Sequence, residues 1–150
     1  MEAAQFAKKQ LEDLLSFFGL NVAVEVAVED DVIELNVPST SINGFLIGQN
    51  GDNLRSIQHL IASMLKNSNQ ELIRVNIDIA DYKKQRAERL AEQVRQWADA
   101  VSKSGQPMDL HSMNAADRRT VHKTISSIEG LTSESVGEGR DRHVVISPSE

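Results

Sequence analysis

The chain has 150 residues, 40% hydrophobic and 25% charged, with three prolines and no cysteine. That length fits one ordinary domain or two small ones, domains running to roughly 100 to 200 residues, and the composition excludes a disordered tail, a disulfide framework, a thiolate metal site and a cysteine nucleophile. The net charge of −6 argues against indiscriminate binding to polyanions, and no apolar run reaches the roughly 20 residues that cross a bilayer.

Phe6, Leu11, Leu14, Leu15 and Phe18 recur at helical spacing and Gly19 follows as a stop, predicting a helix over residues 2–18. Val22, Val24, Val26 and Val28 then alternate with smaller or polar residues, and a second alternating run covers Val32–Val37. Glu29, Asp30 and Asp31 between them predict an acidic hairpin turn. After Pro38 and the polar cluster Ser39, Thr40 and Ser41 comes a short apolar turn, Ile42–Ile47, and then the loop Gly48, Gln49, Asn50 and Gly51. Leu54, Ile57, Leu60, Ile61, Met64 and Leu65 trace a helical face, and Leu72, Ile73, Val75, Ile77 and Ile79 predict a strand.

Asp81 is positioned to cap a long helix. Its apolar stripe is Ala87, Leu90, Ala91, Val94, Trp97, Ala98 and Val101, set against a basic face of Lys83, Lys84, Arg86, Arg89 and Arg95. Ser104, Gly105 and Pro107 end that helix, and an extended stretch, Met108–His111, leads to Asn114 as the N-cap of another helix through about Ser127. Leu131–Val136 and Arg140–Ile146 predict two strands joined at Gly137, Glu138 and Gly139. The expectation is α+β, in two small units, residues 1–80 and 81–150.

Charge is unevenly placed. Residues 1–40 carry two basic and eight acidic groups, whereas residues 81–123 carry nine basic and six acidic, a local net of +3. A polyanion is expected to meet the middle of the chain.

A Gly-x-x-Gly loop between two helices brings backbone close to whatever lies outside it, and the second helix adds amide donors and a positive dipole. Alone this often only ends one helix and starts another. In its context the segment GFLIGQNGDNLRSIQHLIASML resembles a KH domain of the type II arrangement, αββααβ. The resemblance implies that Gly48, Gln49, Asn50 and Gly51 form the nucleic-acid-binding loop and that about four nucleotides of single strand lie over it, with little aromatic stacking. An aromatic content of 4% is no objection. Gln49 and Asn50 are neutral where many such loops carry a cation, and Asp52 adds a negative charge, so modest affinity is expected. Arg55 and Arg74 are the nearest cations to compensate.

The stretch MNAADRRTVHKTIS spaces Arg118 from His122, and Arg119 from Lys123, by four on one helix. At about 100° per residue the first pair borders the core stripe of Val121 and Ile125, and the second faces outward. A structural role fits Arg118 and His122 as readily as a ligand role: the arginine stem on the core, its guanidinium on a carbonyl, the imidazole beside it. Residues 81–147 resemble the single-strand nucleic-acid-binding R-three-H domain, named for its Arg-x-x-x-His motif, which Arg118 and His122 match. The resemblance implies a three-stranded sheet with two helices. Arg140, Arg142 and His143 are further candidates, although Arg142 reads equally as an edge-strand charge.

A KH domain followed directly by an R-three-H domain resembles the bacterial Jag family, also called KhpB or EloR, over nearly the whole chain. Many members carry an additional N-terminal domain, and this sequence starts at the KH helix. The resemblance implies a cytoplasmic, non-enzymatic binder of single-stranded RNA, and by extension single-stranded DNA, acting as RNA chaperone or regulator connected with cell elongation and division. It also implies pairing with a small KH partner protein or with a second copy. The alternative is a protein-interaction module that keeps the folds with weak nucleic-acid binding. No hydrolase, zinc or phosphate-loop motif is present, and His59, His111, His122 and His143 form no ligand spacing, so no metal, cofactor or catalytic residue is expected.

Overall fold

The computed structural model describes residues 2–68 and 74–150. One unit runs Met1–Lys83 and the other Lys84–Glu150, the division falling inside the first turn of a long helix rather than ahead of it.

In the first unit α1 (Glu2–Ser16) buries Ala3, Ala7, Leu11 and Leu15, a row at i, i+4 spacing on one face. It ends two residues before the expected Phe18. Phe17 and Phe18 are drawn into a turn closed by Gly19 at φ +77°, where Leu20 N–H donates to the Leu15 carbonyl at 3.2 Å. Strand β1 (Glu25–Glu29) starts later than the valine alternation implies, because the Val24 amide donates to the Glu12 carboxylate at 2.9 Å instead of to a neighbouring strand. Asp30 and Asp31 both adopt positive φ, the conformation a two-residue hairpin turn requires. β2 (Val32–Val37) lies between β1 and β3 (Arg74–Ile79), antiparallel to the first and parallel to the second.

A parallel pair needs a crossover. Here it contains α2 (Asn43–Ile47), a single 3₁₀ turn Gln49–Gly51 and α3 (Asp52–Asn67). The expected strand residues Leu72 and Ile73 lie outside the described residues. Ile33, Leu35 and Val37 alternate inward in register with Val75, Ile77 and Ile79, and pack against Leu11 and Leu15 of α1 and Leu54, Ile61 and Leu65 of α3. Each such side chain contributes about 1.5–3 kcal/mol by leaving water.

Helix α4 (Tyr82–Ser104) is not capped by Asp81, which sits at φ +56°. The Asp78 carboxylate takes that place, accepting from the Lys83 amide at 3.1 Å and from the Ile79 amide at 2.9 Å. A tight left-handed turn at Ala80 and Asp81 swings the helix start back over the end of β3, which brings the earlier carboxylate within reach.

The second unit packs Val94, Ala98 and Val101 of α4 and Val121, Thr124 and Ile125 of α5 (Ala115–Ser126) against a fully antiparallel sheet. The Asn114 side chain caps α5, accepting from the Asp117 amide at 2.9 Å. The sheet order is β4 (Met108–Asp109), β6 (His143–Pro148), β5 (Leu131–Val136). β6 starts at His143 rather than Arg140 because Gly139–Asp141 winds into a 3₁₀ turn, with the Asp141 amide donating to the Glu138 carbonyl. It is the central strand, so Arg142 at its entry is not an edge-strand charge.

Candidate nucleic-acid interface

The glycine loop connects α2 directly to α3. Gly48 has φ +73° and ψ −179°, a combination essentially confined to glycine, and a Cβ there would lie 2.8 Å from Asn53 Cγ and 2.9 Å from the Asn53 amide nitrogen. Asn53 is itself fixed, donating from Nδ2 to the Phe45 carbonyl at 2.7 Å. Gly51 is buried in the left-handed region, and a Cβ there would lie 3.2 Å from Cε1 of Tyr82. The loop is thus backed by Tyr82 and Asn53, and it leaves Gln49 and Asn50 exposed at its tip.

Asn50 also adopts positive φ, and its carbonyl accepts from Arg55 Nη1 at 2.9 Å while Arg55 Nη2 pairs with the Asp52 carboxylate. Arg55 therefore braces the loop from below as well as placing charge near it. Arg74 stands exposed at the start of β3.

On α5, Arg118 and His122 are half-buried and Arg119 and Lys123 exposed, the order around the helix that the spacing implies. Arg118 Nη1 donates to the Met113 carbonyl at 2.6 Å, which fastens the guanidinium to the segment entering the helix, and among the described residues its other donors make no further hydrogen bond. His122 is held on both sides: Nδ1 lies 2.7 Å from Ser133 Oγ and Nε2 2.7 Å from Ser135 Oγ. Arg119 and Lys123 make no ion pair among the described residues.

Arg142 Nη1 donates to the Gly137 carbonyl at 2.8 Å, tying the β5–β6 connection to itself, and His143 Nδ1 lies 2.9 Å from the Asp141 carbonyl. Arg140 is exposed.

The basic face expected along α4 is not a continuous cationic surface. In the first unit Lys83 is half-buried and donates to Gln58 Oε1 at 2.9 Å and to Asn76 Oδ1. Burial pushes its ammonium below the ordinary value of 10.5, and the Asp78 and Glu34 carboxylates oppose that shift. In the second unit Arg86 makes a two-pronged bond to Asp117 in the first turn of α5, Nε to Oδ1 at 3.1 Å and Nη2 to Oδ2 at 2.7 Å. Arg95 pairs with Glu92 on its own helix.

Sequence reasoning missed Ser133, Ser135, Asp117, Asn53 and Tyr82. Only the serines left a trace: they follow Leu131 at period two on the inward face of β5, where the alternation asks for apolar residues.

The helix with its Arg-x-x-x-His pair, lying on an antiparallel three-stranded sheet, defines the class of the second unit. Residues 85–148 match the R-three-H domain, a nucleic-acid-binding domain. The similarity extends across both units, and the chain is homologous to several proteins named RNA-binding protein KhpB. That of Clostridium symbiosum is 32% identical, over 87% of this chain and 60% of the relative. That of Streptococcus pneumoniae is 30% identical over 97% and 51%, and that of Bacillus subtilis 31% identical over 68% and 50%. The chain spans between half and three fifths of the length of these relatives.

Proposed function

We propose that the chain binds single-stranded RNA through two modules: a KH domain over residues 1–80, gripping backbone at Gly48–Gly51, and the α5 face of the R-three-H domain. The observation that carries the reading is that face. Exposed Arg119 and Lys123 flank half-buried Arg118 and His122 inside a domain whose class binds nucleic acid, in a chain otherwise rich in carboxylates. The element order αββααβ and the glycine-only backbone at Gly48 support the KH assignment. The names of the relatives support RNA as the ligand. Linked in one chain, two weak sites raise the effective concentration of a strand at each other. The role is binding rather than turnover, in the cytoplasm, as an RNA chaperone or regulator connected with cell elongation and division.

Titration of labelled single-stranded RNA and single-stranded DNA against the chain, with duplex RNA as competitor, tests this. The reading expects preference for the single strands and loss of affinity on Arg118→Ala. Equal affinity of wild type and Arg118→Ala would sink it. Crosslinking and sequencing the cellular RNA identifies the target.

A second reading, a protein-interaction module, has its own observation. Phe17, Phe18, Phe45 and Leu60 of the first unit are 86%, 44%, 58% and 41% exposed, and Phe18 and Phe45 help line a groove of about 300 Å³ between α1, α2 and α3. A patch of that kind suits a second copy or a small KH partner. Light scattering on the chain with and without Phe18→Ser separates the two: a dimer broken by the substitution favours association through this groove, and a monomer in both cases removes it.

A further inference from the structure

The imidazole of His122 has both ring nitrogens engaged, which constrains what it and its partners do. In a neutral imidazole one nitrogen donates and the other accepts. With Ser133 Oγ and Ser135 Oγ each 2.7 Å from a ring nitrogen, at least one serine accepts a ring N–H, and in the neutral ring the other donates its proton into it. The accepting serine still has its own hydroxyl proton to give. Among the described residues neither serine donates to any further group. Both serines are half-buried, on the face of β5 that meets α5, and each touches His122, which adjoins Lys123 in sequence and lies one helical turn from Arg118 and Arg119.

We propose that Ser133 and Ser135, set by His122, form a hydroxyl donor site for a phosphate oxygen of the bound strand. His122 is then a positioning residue: its nitrogens aim the serines instead of contacting phosphate themselves. The cations supply attraction, and the hydroxyl supplies a directed bond beside them. This rests on the reading of the second unit as an RNA-binding module.

The test uses the full chain and a labelled random-sequence single-stranded RNA, titrated at several salt concentrations well below each variant's melting temperature. The double variant Ser133→Ala, Ser135→Ala is expected to bind about tenfold more weakly or worse, since the lost hydrogen bond runs to an anionic phosphate oxygen and is worth at least about that factor. The salt slope is expected to stay at the wild-type value, because no counterion-releasing charge is lost. Ser133→Thr with Ser135→Thr, which keeps both hydroxyls and suits a strand, is expected to restore affinity. His122→Phe is expected to weaken binding like the alanine pair and to add nothing on top of it, as members of one unit do. Unchanged affinity of the folded alanine pair, whether or not its melting temperature falls, overturns the inference, because a purely structural role moves stability alone. So does a threonine pair that binds as weakly as the alanine pair. Failure of the wild type to bind RNA overturns the underlying reading, and this inference with it.

Discussion

Replacing Gly48 with alanine separates a backbone requirement from a merely flexible loop. The residue lies at φ +73°, ψ −179°, where a side chain costs about 1–3 kcal/mol. The new methyl would also sit 2.9 Å from the backbone nitrogen of Asn53, at the first turn of α3, where neither a rotamer change nor a small shift relieves it. Overpacking adds about 1–3 kcal/mol, so the total centres near about 4 kcal/mol. For a unit of this size that lowers the melting temperature by about 15–30 °C. Gly51→Ala is expected to cost less, about 1–2 kcal/mol for the left-handed backbone, with a further tight approach to a Tyr82 ring atom at 3.2 Å that the ring must relieve by yielding slightly. Gly44→Ala, with nothing within 4 Å of the added carbon and no positive φ, is the control and is expected to hold or gain stability. Thermal unfolding of the three variants by circular dichroism, followed by RNA titration of those that fold, is the assay. A melting temperature for Gly48→Ala equal to that of wild type would mean that the backbone at this position tolerates a side chain.

The other predictions concern charge. Lys123→Ala and Arg119→Ala should each reduce the slope of log affinity against log salt by about 0.7, the single-strand value for one phosphate contact, while weakening binding to many RNA sequences alike; unchanged slopes would place both cations away from the strand. Arg86→Ala should destabilise the second unit by about 1–3 kcal/mol, since Asp117 has a side chain only 13% exposed and loses a two-pronged partner. The exposed Arg95→Ala should cost no more than about 0.5 kcal/mol, and denaturant titration compares the two. Lys83 is held below its ordinary value of 10.5 by burial, so the unfolded chain binds more protons than the folded one just beneath that value. Stability therefore rises with pH through that window and falls as pH drops back through the lowered value. Denaturant midpoints across that window for wild type and Lys83→Met should differ in slope, the variant losing this rise, and parallel curves would count against the burial effect.

Much of the architecture was legible because strong periodicity and punctuation agree. β2 and β5 carry their predicted bounds, and Asn114 caps α5 as its position before the helix implies. What escaped depended on pairings distant in sequence. The preference for Asp81 as a cap is a local rule overridden by a left-handed turn that delivers Asp78. The basic stripe along α4 is real in sequence, yet Gln58, Asn76 and Asp117 come from elsewhere in their units to neutralise or bury parts of it. The partition of α5 into a half-buried pair and an exposed pair could be read from helical geometry, including an arginine bonded to a carbonyl. That two serines on a strand occupy both nitrogens of His122 could not, because hydrogen bonds between a helix and a strand leave only a faint break in the strand's alternation.

Engagement of unpaired RNA by two separate segments of one chain is read in a single experiment by titrating isotopically labelled chain with short unstructured RNA and following backbone amide shifts. Saturable shifts are expected at Gly48–Gly51 and at Arg118–Lys123, reproduced by single strands and not by duplex. Shifts confined to the surroundings of Phe18 and Phe45, or none at either segment, would contradict that engagement.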